Sequence, residues 1–191
     1  EQFRKATNMW SSAGYALLRF GRYYDVVYWM GDWPERADVR PWMLMHLVLA
    51  LRRLGRDAEA EQVSRRALGL PPDGSVIEHR VWLAVDAALK GDADEARRRL
   101  REVAPARLEG YYCLLRALAR AVVDVADAEP AAKRRALQEA LATLHQTEVR
   151  FGSYRSDRAL RRLYRRTLQV LAALEGTLAG RLTYWRLLLS S

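Results

Sequence analysis

Residues 41–74 read PWMLMHLVLALRRLGRDAEAEQVSRRALGLPPDG. The first half sets Leu44, Leu47, Val48, Leu51 and Leu54 three or four residues apart, which gathers them on one side of an α-helix. Gly55 ends that pattern. A second helical stretch follows with Ala60, Ala67 and Leu68, and the breaker run Pro71-Pro72-Asp73-Gly74 closes it. The segment predicts two helices joined by a tight turn.

The same period continues outward. Leu114, Leu115, Leu118, Val122 and Val125 form one such face, and Leu160, Leu163, Tyr164, Leu168, Leu171 and Leu174 another. No stretch shows the sustained alternation of a half-buried strand. Breakers punctuate the chain at Gly21, Gly31 with Pro34, Gly91, Pro105, Pro130 and Gly152. Ser75 with Glu78, and Asp92 with Glu95, have the spacing of a capping box. The reading is all-α, with about ten helices paired through short turns.

The pairs repeat. Phe20-Gly21-Arg22-Tyr23, Leu54-Gly55-Arg56-Asp57 and Lys90-Gly91-Asp92-Ala93 align on their glycines at intervals of 34 and 36 residues. Five residues after each glycine stands a small or modest apolar residue, Val26, Ala60 or Ala96. A fixed period in the mid-thirties on helix pairs is the mark of a helical solenoid.

In these residues the chain resembles the tetratricopeptide repeat (TPR) family over about residues 7–108. Residues 41–74 match best. The first unit, about 7–40, supplies Trp10, Ala13, Gly14, Leu17, Gly21 and Tyr23, then departs where Trp33-Pro34 shortens its second helix. The third, about 77–108, keeps Leu83, Ala84, Ala87, Gly91, Ala96, Leu100 and Val103, with Arg80 where a large apolar residue is expected. The resemblance implies a solenoid of antiparallel helix pairs, a TPR-like superhelix in which stacking creates the core. Residues 109–150 are expected to form a divergent fourth pair, and 151–191 basic helices or a cap, in one continuous domain. The last helix is apolar almost all round (Leu182, Tyr184, Trp185, Leu187, Leu188, Leu189), so it either crosses the solenoid end or pairs with another chain.

Composition bounds the function. The 191 residues include 32 Lys+Arg against 23 Asp+Glu, for a net charge of +9, and half are apolar. That supports a real core and argues against wholesale disorder. No apolar run approaches the roughly 20 residues of a membrane-spanning helix. The opening Glu1-Gln2-Phe3-Arg4-Lys5 has no signal-peptide pattern, so a cytoplasmic location is expected. The absent initiator methionine leads us to expect a piece of a longer protein. A single cysteine, Cys113, excludes an intrachain disulfide and a multi-thiolate metal site.

Catalytic chemistry finds little purchase. His46, His79 and His145 fall on different helices without metal-ligand spacing and read as core or surface residues. Cys113, in Tyr-Tyr-Cys-Leu-Leu, reads as an inert buried thiol. There is no phosphate-binding Gly-rich loop and no nucleophile elbow. Asp92, Asp94 and Glu95 are better explained by helix capping than by a cation. We expect no enzyme, no metal and no cofactor in this chain.

Two features suggest binding. Nine of the 18 aromatic residues fall between Trp10 and Trp42. They form either a binding surface, since Trp and Tyr give large contact area at low entropy cost, or packing between the first two units. The resemblance places Tyr15, Trp42, Met45 and Leu49 facing inward on first helices, where with Arg52 and Arg53 they line an amphipathic groove for a protein or peptide. Ser11, Tyr15 and Met45 are not the Lys, Asn and Arg set with which chaperone-binding relatives clamp an acidic tail.

The second feature is Arg158, Arg161, Arg162, Arg165 and Arg166, one helix face extended by Arg155. Residues 150–191 carry nine arginines against Asp157 and Glu175, while residues 1–149 carry 23 basic and 21 acidic groups. The positive charge thus concentrates near the C-terminus. An acidic protein surface, a nucleic-acid backbone or anionic lipid would fit it, as would a solvated face in an arginine-rich chain. A non-enzymatic scaffold is the leading expectation. Polyanion binding by the arginine stripe and oligomerisation through the last helix are the alternatives.

Overall fold

A computed structural model describes residues 6–104, 108, 110–124, 129, 131, 132 and 135. Among these residues the regular structure is helical, without strands: α1 Thr7–Arg19, α2 Tyr23–Trp29, a 3-10 turn at Trp33–Glu35, α3 Pro41–Leu54, α4 Asp57–Ala67, α5 Val76–Lys90, α6 Ala93–Arg101 and α7 Gly110–Asp124. The chain divides into two compact units after Leu83, within α5. Expected helices beyond α7, including the arginine stripe and the apolar last helix, lie outside the described residues.

The three aligned glycines make the same turn three times. Gly21, Gly55 and Gly91 have φ of 71°, 78° and 84°, the left-handed region that a side chain disfavours. The Gly21 N–H donates to Leu18 O, and the Arg22 N–H reaches back to Leu17 O. Gly55 and Arg56 repeat this onto Arg52 and Leu51, and Gly91 and Asp92 onto Ala88 and Ala87. Each turn thereby satisfies two carbonyls that the helix end leaves open, the Schellman arrangement. The next helix then closes its first turn identically, with Val26, Ala60 and Ala96 donating to the carbonyls of Arg22, Arg56 and Asp92. Those three side chains are fully buried. A Cβ added at Gly91 would meet nothing within 4 Å, so its only obstacle is the backbone conformation. Gly91→Ala is therefore expected to cost about 1 kcal/mol by urea denaturation, and Gly91→Asn less, because Asn tolerates the left-handed region.

Local chemistry sets the other helix ends. Pro41 opens α3 at the position where its missing N–H costs nothing. Acids in the first turn of α4 (Asp57, Glu59) and bases in its last (Arg65, Arg66) complement the helix dipole. Asp92 caps α6 by accepting the Glu95 N–H at 3.1 Å. The Glu95 carboxylate is taken by Arg98 and Arg99, and these bonds hold it below the usual carboxylate range. The arginine run of α6 is offset by its neighbours: Arg97 pairs with Asp94, and Arg98 also reaches Glu102.

In the first unit α1, α2 and α3 pack against one another, and α3 packs on α4. The core holds Trp10, Val26, Met30, Leu44, Val48, Val81 and Trp82, all essentially inaccessible. Gly14 lets the Met30 side chain close on α1, since a Cβ there would lie 2.5 Å from the Met30 sulfur. Trp10 anchors the unit. Its indole N–H faces Trp29 O at 3.2 Å and Asp32 Oδ1 at 2.9 Å. The Trp29 indole donates back to Trp10 O at 2.9 Å. Arg36 lies over the Trp10 ring at 4.5 Å and donates to Asp32 Oδ2.

In the second unit α6 packs on α7, which buries Leu115, Ala119, Val122 and Val123. Cys113 corrects the sequence expectation. It is exposed, and its thiol donates to Leu108 O at 3.1 Å. Two residues before Leu115, it sits about 200° around the helix from the buried stripe.

Candidate partner-binding face

The first helices of the first unit's two pairs, α1 and α3, carry no carboxylate. Their only charged side chains are Arg19, Arg52 and Arg53, and His46 is the one further titratable base. The unit's acids lie on α2 (Asp25), on α4 (Asp57, Glu59, Glu61), at Glu78 of α5 and in the connecting segments, where Asp38 accepts the Thr7 hydroxyl of α1. Apolar periodicity explains part of this, since α3 buries Met43, Leu44, Leu47, Val48 and Leu51. The exposed large apolar side chains of these two helices are Met9, Tyr15 (48 % exposed) and Trp42 (39 %).

His46 joins the two aromatics. Its ring centroid is 5.2 Å from that of Tyr15, tilted by 43°, and 5.9 Å from that of Trp42, edge-on at 77°. Ser11 Oγ approaches its Nδ1 at 3.5 Å. Burial lowers the His46 pKa against the opposing pull of Ser11, so the ring is neutral at pH 7. Asp73 is the carboxylate near Trp42, and it is engaged with backbone: Oδ2 accepts the Trp42 N–H at 3.2 Å and Oδ1 the Ser75 N–H at 2.8 Å. The arrangement is an aromatic surface with an imidazole between its two largest rings. It offers flat apolar contact and polar edges.

The six expected groove residues separate here. Tyr15 and Trp42 are exposed, and Leu49 and Arg53 are half-buried. Met45 and Arg52 are only 5 % and 4 % exposed. The Arg52 guanidinium lies over the Trp82 indole at 4.1 Å and reaches Asp57 at 3.7 Å, so it supports the fold beneath the face. Arg53 lies over the Tyr23 ring at 5.9 Å. Sequence reasoning passed over His46 as a lone helical histidine. The signal was its place four residues after Trp42, on the same side of α3. Arg155, Arg158, Arg161, Arg162, Arg165 and Arg166 lie outside the described residues.

His79, by contrast, is core. Its Nε2 lies 2.9 Å from Pro41 O and its Nδ1 3.3 Å from Ser64 Oγ. A carbonyl only accepts, so Nε2 carries the proton and the Ser64 hydroxyl donates to Nδ1. Burial lowers the His79 pKa, against smaller upward pulls from the Pro41 carbonyl and Asp73. The unfolded chain therefore binds more protons than the folded one below the ordinary histidine pKa of about 6.5. The stability tied to both lowered histidines is present above that pH and is lost as the pH falls below it. The melting temperature should drop between about pH 7 and pH 5.5, and a His46→Gln/His79→Gln variant should show a flatter profile across that window.

No helix among the described residues is long and apolar enough to cross a membrane. Comparison with known proteins finds no family model, no curated protein and no solved structure that matches this chain.

Proposed function

We propose that this chain is a non-enzymatic interaction module, a TPR-like stack of helix pairs that holds a segment of another protein across α1 and α3. The observation that carries the reading is the face itself: two exposed large aromatics, Tyr15 and Trp42, on helices without a single acid. Monomer surfaces scatter their exposed aromatics, whereas binding surfaces group Trp, Tyr and Arg. The repeated Schellman turns at Gly21, Gly55 and Gly91 support the stack. With Arg19 exposed at the end of α1, the favoured ligand is a peptide with an apolar or aromatic anchor and at least one acidic residue.

Selection from a random peptide library tests this. Sequences of that type should be enriched on the wild-type chain and lost on a Tyr15→Ser/Trp42→Ser variant. Failure of the wild type to enrich any sequence, or equal enrichment on both proteins, contradicts the proposal.

A further inference from the structure

The first unit has a second aromatic surface, turned away from its core. Val26 and Met30, four residues apart, carry the buried side of α2 and its C-terminal cap. Tyr24 and Tyr28 have the same spacing but lie two residues earlier, about 200° around the helix. They are 77 % and 78 % exposed, and Phe20, at the α1 cap just before the Gly21 turn into α2, is 82 % exposed. These are the three most exposed large apolar side chains among the described residues. We infer that this Phe20–Tyr24–Tyr28 face pairs with the same face of a second copy of the chain, giving a reversible homodimer.

Area and charge choose the occupant. A large aromatic side chain buries about 150–250 Å². Three that are four-fifths exposed offer roughly 350–600 Å² per copy, or about 700–1,200 Å² over a two-fold contact before any rim residue is added. That reaches the lower edge of specific interfaces, where association is reversible.

The two arginines beside Tyr24 are compensated in place. Arg22 pairs with Asp25. Arg56, within electrostatic reach of Tyr24, pairs with Glu59 at 2.6 Å. These two pairs leave no net charge beside Tyr24 and Tyr28 for an acidic or a basic partner, and Arg19 is the one further charge, beside Phe20. The face does match a copy of itself, because each arginine can meet the other copy's carboxylate and like charges need not oppose. The acid-free face of α1 and α3 lacks this property, so the two surfaces call for different occupants.

Sedimentation velocity over about 1–500 µM tests the dimer. The weight-average mass of the chain should rise toward twice the monomer value with concentration. Tyr24→Ser/Tyr28→Ser should weaken association at least tenfold with unchanged helical circular dichroism. A wild-type chain that stays monomeric throughout overturns the proposal. So does a variant that associates as the wild type does, since another surface would then be responsible. If the double variant loses helicity, Phe20→Ser alone carries the test, with the same two readings. Peptide selection on the α1 and α3 face is independent of this result.

Discussion

Replacing Trp10 with alanine is expected to cost about 3–5 kcal/mol, the largest effect of any single substitution considered for this chain. Trp10 is fully buried, so the change removes most of an indole from a packed core and leaves a cavity that the helices fill only in part. It also strips a donor from Asp32 Oδ1 and the Trp29 carbonyl, and it takes away the ring on which Arg36 rests. Asp32 keeps Arg36 as a partner, which limits the electrostatic part of the loss. Trp10→Phe separates the terms: it retains most of the apolar contact and loses the indole donor, and should cost about 1–3 kcal/mol. Domains are stable by only about 5–15 kcal/mol, so the alanine variant should melt far earlier than wild type or fail to fold. Urea unfolding followed by Trp fluorescence measures both variants.

Tyr15→Ala/Trp42→Ala should behave in the opposite way. Both side chains are substantially exposed, and neither anchors a buried network. Their loss should change stability by about 1 kcal/mol or less, while weakening a bound peptide about thirtyfold or more, as expected when aromatic anchors at the centre of an interface are truncated. Arg53→Ala should add a smaller loss of binding, because its guanidinium sits at the border of the face over Tyr23. Arg52→Ala should instead lower stability, because Arg52 is packed between Trp82 and Asp57. A binding loss from Arg52→Ala without loss of stability would reverse these two assignments.

The turns were the most legible part of the sequence, because their cause is local. A glycine after the last apolar position, a small residue five further on and a period in the mid-thirties suffice to specify the three turns at Gly21, Gly55 and Gly91. Asp92 as a cap was legible for the same reason. The short α2 followed from Trp33-Pro34, which the chain accommodates as a separate 3-10 turn. The stacking of the pairs into a superhelix stays with the proposal.

Site residues were less legible, because exposure depends on what a neighbouring helix brings. Arg52 reads as a surface arginine until Trp82, from a later helix, is laid against it. Met45 stands at an inward-facing position of the family pattern, yet it is covered. His46 gains meaning only when Tyr15 of α1 comes to one side of it. Cys113 lies in an apolar string, but the buried stripe of α7 runs through Leu115 and Ala119 and leaves it outside.

The most direct test of the binding face uses the chain's own indoles. A peptide selected on the wild-type chain is titrated into ¹⁵N-labelled protein while the Trp indole N–H resonances are followed. The account predicts that the Trp42 resonance moves with saturation while those of the buried Trp10 and Trp82 hold their positions. A peptide that binds while the Trp42 resonance stays fixed contradicts it.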